Sequence, residues 1–438
     1  MVTDVSKDKT EVGNYFISNY PPFSFWNRES LPSITEAFDT PSTSVDPMGL
    51  YLHIPFCRKR CKFCYFRVYT DVQAKAIQDY VDTLAHEVSM IAEKPAVQGR
   101  EFRFVYFGGG TPSFLSERQL LGLVDKLRTS IRWDNADEVT FECEPGTLSQ
   151  PKLQAIKEIG VTRLSLGVEN FDDVVLEENG RAHKSKEIFR AWDWIQETGF
   201  KQINIDLIAG MIGETTANWE AVVKKTIELA PDSVTIYQLE LPYNTRYSKS
   251  LTVLGQEIDV APWSIKRQWL NYAYDEFLAN GYEISSAYTL RKKSTNQVKF
   301  LYRDNLWHGS DLLSAGVASF GHLSGVHYQN IDGLDEYQAA VAENRLPLNR
   351  AMVITPEEAL IRQMILQMKL GRLDAGYFRT KFGREIFADF RAPFEDLVSR
   401  ELANIQGDKF TLTREGFLRV DSLLPAFFKP EHQGNRYT

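Results

Sequence analysis

Between about residue 50 and residue 245 the chain alternates two hydrophobic patterns. Short apolar runs recur as GLYLHI (49–54), FRFVYF (102–107), VTFE (139–142), RLSLGV (163–168), INIDLIAG (203–210) and SVTIYQLEL (233–241). Runs of this length, rich in β-branched and aromatic residues, predict buried strands. The segments between them have helical spacing. In 76–91 the apolar positions Ile77, Tyr80, Val81, Leu84, Val88 and Ile91 share one face. Ser116 with Gln119 three residues on is a capping-box pattern that opens a helix. SQPKLQAIKEIG (149–160), SKEIFRAWDWIQETG (185–199) and NWEAVVKKTIELA (218–230) read as further helices, and Gly199 suits a C-cap. Six strand–helix units predict a parallel sheet with right-handed crossovers. The periodicity fits an incomplete (β/α)6 barrel or an open doubly wound sheet equally well.

The flanks are less regular. Residues 1–46 carry many aromatic, Pro and Ser residues (NYFISNYPPFSFWNRESLPS, 14–33) and read as an extended arm. So many aromatics imply that the arm packs on something. With a core over 47–245, residues 246–354 form an extension facing the substrate side. It holds a helix (WSIKRQWLNYAYDEFLANGY, 263–282) and a Gly-rich strand-like stretch (311–330). A C-terminal unit over 355–438 reads as helices at 357–374, 375–383 and 394–405, then a turn, short strands and a last helix. That order is winged-helix-like, and its expected role is a structural cap.

Composition narrows the function. The 438 residues are 43% hydrophobic and 25% charged, as in ordinary globular chains. Lys and Arg number 50 against 58 Asp and Glu, a net charge of −8. This balance argues against a mainly electrostatic nucleic-acid binder. No apolar run of about 18 residues predicts a membrane span. The N-terminus lacks an apolar signal-peptide core, so a cytoplasmic location is expected.

Only four cysteines occur, too few for a disulfide scaffold. Three of them, Cys57, Cys61 and Cys64, form CxxxCxxC in YLHIPFCRKRCKFCYF. Three close thiolates can hold a soft metal. Structural zinc and ferredoxin-type clusters both take four ligands. A triad therefore suggests an iron–sulfur cluster with one iron open to a small molecule, with zinc or coincidence as the rivals.

Other polar groups fall at the carboxyl ends of the predicted strands, where parallel α/β folds bind ligands. After the first strand come the cysteines, after the second Gly108, Gly109, Gly110 and Thr111. Glu142 ends the third strand and Glu169 the fourth, with Arg181 downstream, and Asp206 lies near the end of the fifth. The glycines let a backbone approach a ligand closely. The acids suit ribose hydroxyls or a cation, and the Arg181 fork suits a carboxylate. Cys143 is expected to be a small buried hydrophobe. His53, His183, His322 and His327 are expected to be polar packing residues.

HIPFCRKRCKFCYF followed by FGGGTPSFL resembles the radical S-adenosylmethionine (SAM) superfamily. Within it, the chain is similar to the HemN-like branch, which holds the oxygen-independent coproporphyrinogen III oxidases. The resemblance runs from NYFISNYPPF to the terminal NRYT and favours the partial barrel. It implies a [4Fe-4S] cluster on Cys57, Cys61 and Cys64, whose open iron is chelated by the amino and carboxylate groups of SAM. It further implies SAM contacts from Tyr51, Gly109, Gly110, Thr111, Glu142, Glu169, Arg181, Asp206 and Ile208. One-electron cleavage of SAM would yield methionine and a 5′-deoxyadenosyl radical, with flavodoxin or ferredoxin as the electron donor. The substrate would be a small molecule, with a tetrapyrrole the leading candidate.

Two departures matter. The coproporphyrinogen oxidases follow the third cysteine with Gly-Cys, where this chain has Tyr65-Phe66. The branch's GVQ reads GVE here, so the carboxylate of Glu169 replaces an amide and a donor is lost. The expected activity is coproporphyrinogen III oxidase-like, in porphyrin biosynthesis. The alternatives are a HemN-like methyltransferase or cyclopropanase binding two SAM molecules, and a heme chaperone.

Overall fold

The chain begins its regular structure with a helix, α1 (Leu31–Asp39), and then enters the alternating region. There the order is β1 (Met48–Ile54), α2 (Ala74–Ala92), β2 (Phe102–Gly109), α3 (Glu117–Arg128), β3 (Glu138–Cys143) and α4 (Gln150–Glu158). It continues with β4 (Arg163–Glu169), α5 (Asp173–Glu178), α6 (Ser185–Thr198), β5 (Gln202–Ala209), α7 (Thr216–Leu229) and β6 (Ser233–Gln238). This computed structural model describes residues 8–13, 15–255, 257–293 and 298–434. Residues 1–7, part of the expected arm and of the reading of the N-terminus, lie outside the described residues. So do Asn14 and 435–438, the two ends of the resemblance.

The chain divides into two units. The larger takes Trp26–Leu207 and Val298–Val353; the other takes Met1–Phe25, Ile208–Gln297 and Ile354–Thr438. In the larger unit β1, β2, β3, β4 and β5 lie side by side in chain order, all parallel. A doubly wound sheet reverses its order at a switch point. No reversal occurs here, so each βα step advances in one direction, as in a barrel wall. On the other side of β1 lies β9 (Leu312–Ala315), also parallel, followed by an antiparallel run of β10 (Phe320–Leu323), β11 (Val326–Asn330) and β12 (Leu348–Val353).

The second unit holds β6 with β7 (Tyr282–Ile284) and β8 (Thr289–Lys292), paired antiparallel in the order β6-β8-β7. Its C-terminal part has helices Pro356–Met368, Ala375–Phe382 and Arg391–Ser399. They accompany a small antiparallel sheet of β13 (Arg372–Asp374), β14 (Ala403–Gln406) and β15 (Lys409–Leu412). This is the expected winged-helix-like arrangement. No helix among the described residues is long and apolar enough to cross a membrane.

Local signals account for most boundaries. Ser116 and Gln119 close a capping box at α3, and Gly199 ends α6 at φ 72°. Three expectations are corrected. The arm is not wholly extended, because Ile34 and Phe38 bury one face of α1 and Pro32 sits in its first turn, where it costs no hydrogen bond. The helix expected over 394–405 stops at Ser399, with Glu401 at φ 56°, and the remainder pairs as β14. The helix expected to reach 374 ends before Gly371 (φ 76°), and 372–374 becomes β13.

Candidate functional site

β1 runs directly into the cysteine loop. Cys57 N–H donates to Tyr69 O (3.1 Å) and Tyr69 N–H to Pro55 O (2.9 Å), pinning the two ends of the loop together. Lys62 N–H donates to Asn179 O (3.0 Å), tying its middle to the turn before Arg181. Cys57, Cys61 and Cys64 are free thiols, partly buried. Burial, with a smaller contribution from charge on the neighbouring cysteines, pushes the Cys57 thiol up to about 11 and that of Cys64 up to about 12.

Three thiols on one loop lie within electrostatic reach of each other. A Cβ on Gly110 would fall 3.0 Å from Cys57 Sγ and 2.9 Å from Phe56 O, so only a bare backbone leaves the thiol free. Thr111 Oγ1 donates to Cys57 Sγ (3.3 Å) and Arg181 Nη1 to Cys61 Sγ (3.4 Å), contacts that favour thiolates. The donor set fits a thiolate-ligated cluster. Among the described residues no three His, Cys, Asp or Glu side chains are close enough to chelate one bare ion.

The glycine run follows β2. Gly109 sits at φ 114°, a conformation reserved in practice for glycine. Its N–H donates to Glu142 Oε2 (3.2 Å), and Gly110 N–H donates to Ile54 O (2.8 Å), which holds the turn against β1.

Glu142, Glu169 and Asp206 face one another inside the barrel wall, because β3, β4 and β5 each turn alternate residues inward. Tyr106 OH donates to Glu142 Oε1 (2.7 Å). Ser165 Oγ and Asn204 Nδ2 donate to the two oxygens of Asp206 (2.8 and 2.9 Å). Glu169 occupies a bulge at φ 65°, an uncommon conformation for a non-glycine residue, and its Oε1 lies 3.6 Å from Arg181 Nη2. Burial lifts the carboxyls of Glu142 and Glu169 to about 7, and the like charge of Asp206 adds to both shifts. Such a set is poised to receive a cation. Arg181 also donates to Gly167 O (2.7 Å), while its Nε is buried without a hydrogen-bond partner.

Tyr51 OH meets His53 Nδ1 (3.1 Å), and the Tyr51 ring stacks on Tyr106. Ile208 is buried two positions along β5 from Asp206. Cys143 is buried, and burial raises its thiol. His322 and His327 meet at 3.1 Å, with His327 stacked on Trp26. Phe66 is 42% exposed and packs on Tyr65. The structure thus joins Cys57 to Thr111, Cys61 to Arg181, Gly109 to Glu142 and Glu169 to Arg181. Sequence reasoning missed Tyr106, Ser165 and Asn204. Tyr106 and Asn204 each lie two residues from one it did single out (Gly108 and Asp206), and that inward alternation is the signal that marks them; Ser165 is marked only by its pairing with Asn204 across β4 and β5.

Residues 51–226 match the family model of the Radical SAM superfamily. The heme chaperone HemW of Bacillus subtilis is 28% identical over 382 residues, covering 86% of this chain and 98% of that protein. The oxygen-independent coproporphyrinogen III oxidase of Escherichia coli is 28% identical over 400 residues, covering 87% and 85%. The solved structure of the E. coli coproporphyrinogen III oxidase HemN has a TM-score of 0.81 at 24% identity, covering 94% of this chain and 96% of that one. At that identity the likeness shows the fold, a radical SAM partial barrel with a C-terminal helical unit.

Proposed function

We propose that this chain, which belongs to the radical SAM superfamily and is HemN-like, carries out oxygen-independent coproporphyrinogen III oxidase-like chemistry on a tetrapyrrole. Cys57, Cys61 and Cys64 would hold a [4Fe-4S] cluster. When bound, the cluster supplies the electron that splits SAM into methionine and a 5′-deoxyadenosyl radical. The protein's part is placement and exclusion of water. Arg181 presents its fork to the SAM carboxylate. Gly109 and Gly110 offer close backbone to the amino group, beside Thr111. Glu142, Glu169 and Asp206 receive the ribose hydroxyls and the sulfonium charge, and Tyr51 lies against the nucleoside.

The observation that carries this reading is Arg181. It touches Cys61 Sγ with one nitrogen and lies near Glu169 with another, so the cysteine loop and the acidic lumen meet at one guanidinium. Iron–sulfur potentials span about −700 to +450 mV, and SAM cleavage needs the low end. A flavodoxin or ferredoxin is therefore the proposed donor, and the cytoplasm the proposed location.

A heme chaperone is the second reading, favoured by the similarity to HemW along nearly that protein's whole length. Anaerobic incubation with SAM, dithionite and coproporphyrinogen III separates the two. Release of 5′-deoxyadenosine with vinyl formation supports the oxidase. Stoichiometric heme binding without SAM cleavage supports the chaperone. S-adenosylhomocysteine alongside 5′-deoxyadenosine would instead indicate methyl transfer.

A further inference from the structure

We propose that His183 is a positioning residue that locks the cysteine loop and the Arg181 fork into one fixed relation. The proposal rests on the assignment of the three cysteines to a cluster. The His183 side chain is wholly buried. Its Nδ1 lies 3.0 Å from Glu144 Oε1, just beyond β3, and its Nε2 lies 3.3 Å from Val168 O, near the end of β4. One imidazole therefore bridges two adjacent strand ends, a span that a shorter amide side chain does not reach from both sides.

Each end of that bridge leads to a cysteine. Glu144 turns its other oxygen, which makes no hydrogen bond, toward Arg58 Nη1 at 3.7 Å. Arg58 directly follows Cys57 and also lies 3.4 Å from Glu187. It crosses the bare face of Gly146, where a Cβ would fall 1.8 Å from Arg58 Nη1. At the other end, Val168 immediately precedes Glu169 on its strained bulge. Two residues before His183, Arg181 donates to Gly167 O and Cys61 Sγ. Burial raises the Glu144 carboxyl, but the His183 bond and the charges of His183, Arg181 and Arg58 outweigh it and hold the group below its ordinary value. The charge facing Arg58 is thus kept by the His183 bond together with the Arg181 and Arg58 guanidiniums. Removing the imidazole leaves Glu144 Oε1 held by Gly146 N–H alone (3.2 Å) and Val168 O by Asn170 N–H alone (2.8 Å), so nothing links the two strand ends. Arg58 and Arg181 then lose their common reference.

The test uses the full chain, reconstituted anaerobically, with SAM as the probe. For His183→Ala, iron content equal to wild type is expected, because no cluster ligand is changed. SAM affinity should fall about 10- to 100-fold, the usual cost of losing a group that orients a metal site from behind. The SAM-induced change in the EPR signal of the reduced cluster should weaken. His183→Asn, which keeps a donor near the Nδ1 position, should recover part of both. Wild-type affinity and an unchanged EPR response in His183→Ala would overturn the proposal. If that variant does not fold, Glu144→Gln removes only the charge facing Arg58; a shifted EPR signal supports the clamp and an unshifted one refutes it. A wild-type chain that assembles no cluster brings down the cluster assignment and the clamp together. A wild type that does, matched by unaltered variants, brings down the clamp alone.

Discussion

Replacing Gly109 by alanine tests the geometry of the site without removing a functional group. At φ 114° an L side chain is strained by about 1–3 kcal/mol. The new Cβ would lie 2.6 Å from His53 Cε1 and 2.7 Å from Nδ1, far inside contact distance. His53 is buried and its Nδ1 meets Tyr51 OH, so the ring cannot swing away without breaking that bond. Overpacking of this kind costs about 1–3 kcal/mol. The two effects sum to about 2–6 kcal/mol. The variant should unfold at distinctly lower urea concentration than wild type, with unchanged slope, and should bind SAM more weakly. Gly122 is the internal control. It lies within α3 with nothing within 4 Å of its missing Cβ, so Gly122→Ala should stabilise by about 0.5–1 kcal/mol. A Gly109→Ala chain as stable as wild type would refute the strained turn packed on His53.

Two further predictions follow from the acidic lumen. Asp206→Ala removes the acceptor of Ser165 and Asn204; SAM affinity should fall about 10- to 100-fold in equilibrium dialysis while iron content holds, since hydrogen bonds to charged groups contribute about 1.5–3 kcal/mol. The pH dependence has two opposite signs. Glu142 and Glu169 ionise near 7 in the folded chain, against 4.5 ordinarily. Between those values the folded state holds protons that the unfolded state has released, so these groups make stability fall as pH rises through the window. On the proposed site SAM, a cation at its sulfur, is held by the ionised carboxylates, so its affinity should rise through the same window. Thermal midpoints and dialysis at pH 5.5 and 8 check both signs; a Glu142→Gln, Glu169→Gln double variant with the wild-type pH slope of stability would contradict this.

The barrel wall was legible because its strands are short apolar runs and its helices carry clear caps. The choice between barrel and doubly wound sheet was not, since periodicity carries no information on strand order; that came from the unreversed pairing of β1 to β5. The helix α1 escaped notice because Pro32 and its polar neighbours masked the Ile34 and Phe38 stripe. Along β14 the local helical pattern yielded to sheet pairing with β15. Among the site residues, Glu142 and Asp206 could be marked from their places at strand ends. Their partners Tyr106, Ser165 and Asn204 look like ordinary strand residues until the inward face is known. His183 is invisible as a bridge in the sequence, because Glu144 and Val168 meet it only through the fold.

On the proposed assignment three thiolates hold a cubane with one iron left for SAM. Mössbauer spectroscopy of the anaerobically reconstituted, iron-57-labelled chain tests it most directly, with Cys61→Ala as the paired sample. The expected result is a [4Fe-4S] spectrum in which one iron alone shifts when SAM is added, and loss of that spectrum in Cys61→Ala. A wild-type spectrum without a cubane, four irons indifferent to SAM, or a Cys61→Ala chain with its cluster intact would contradict it.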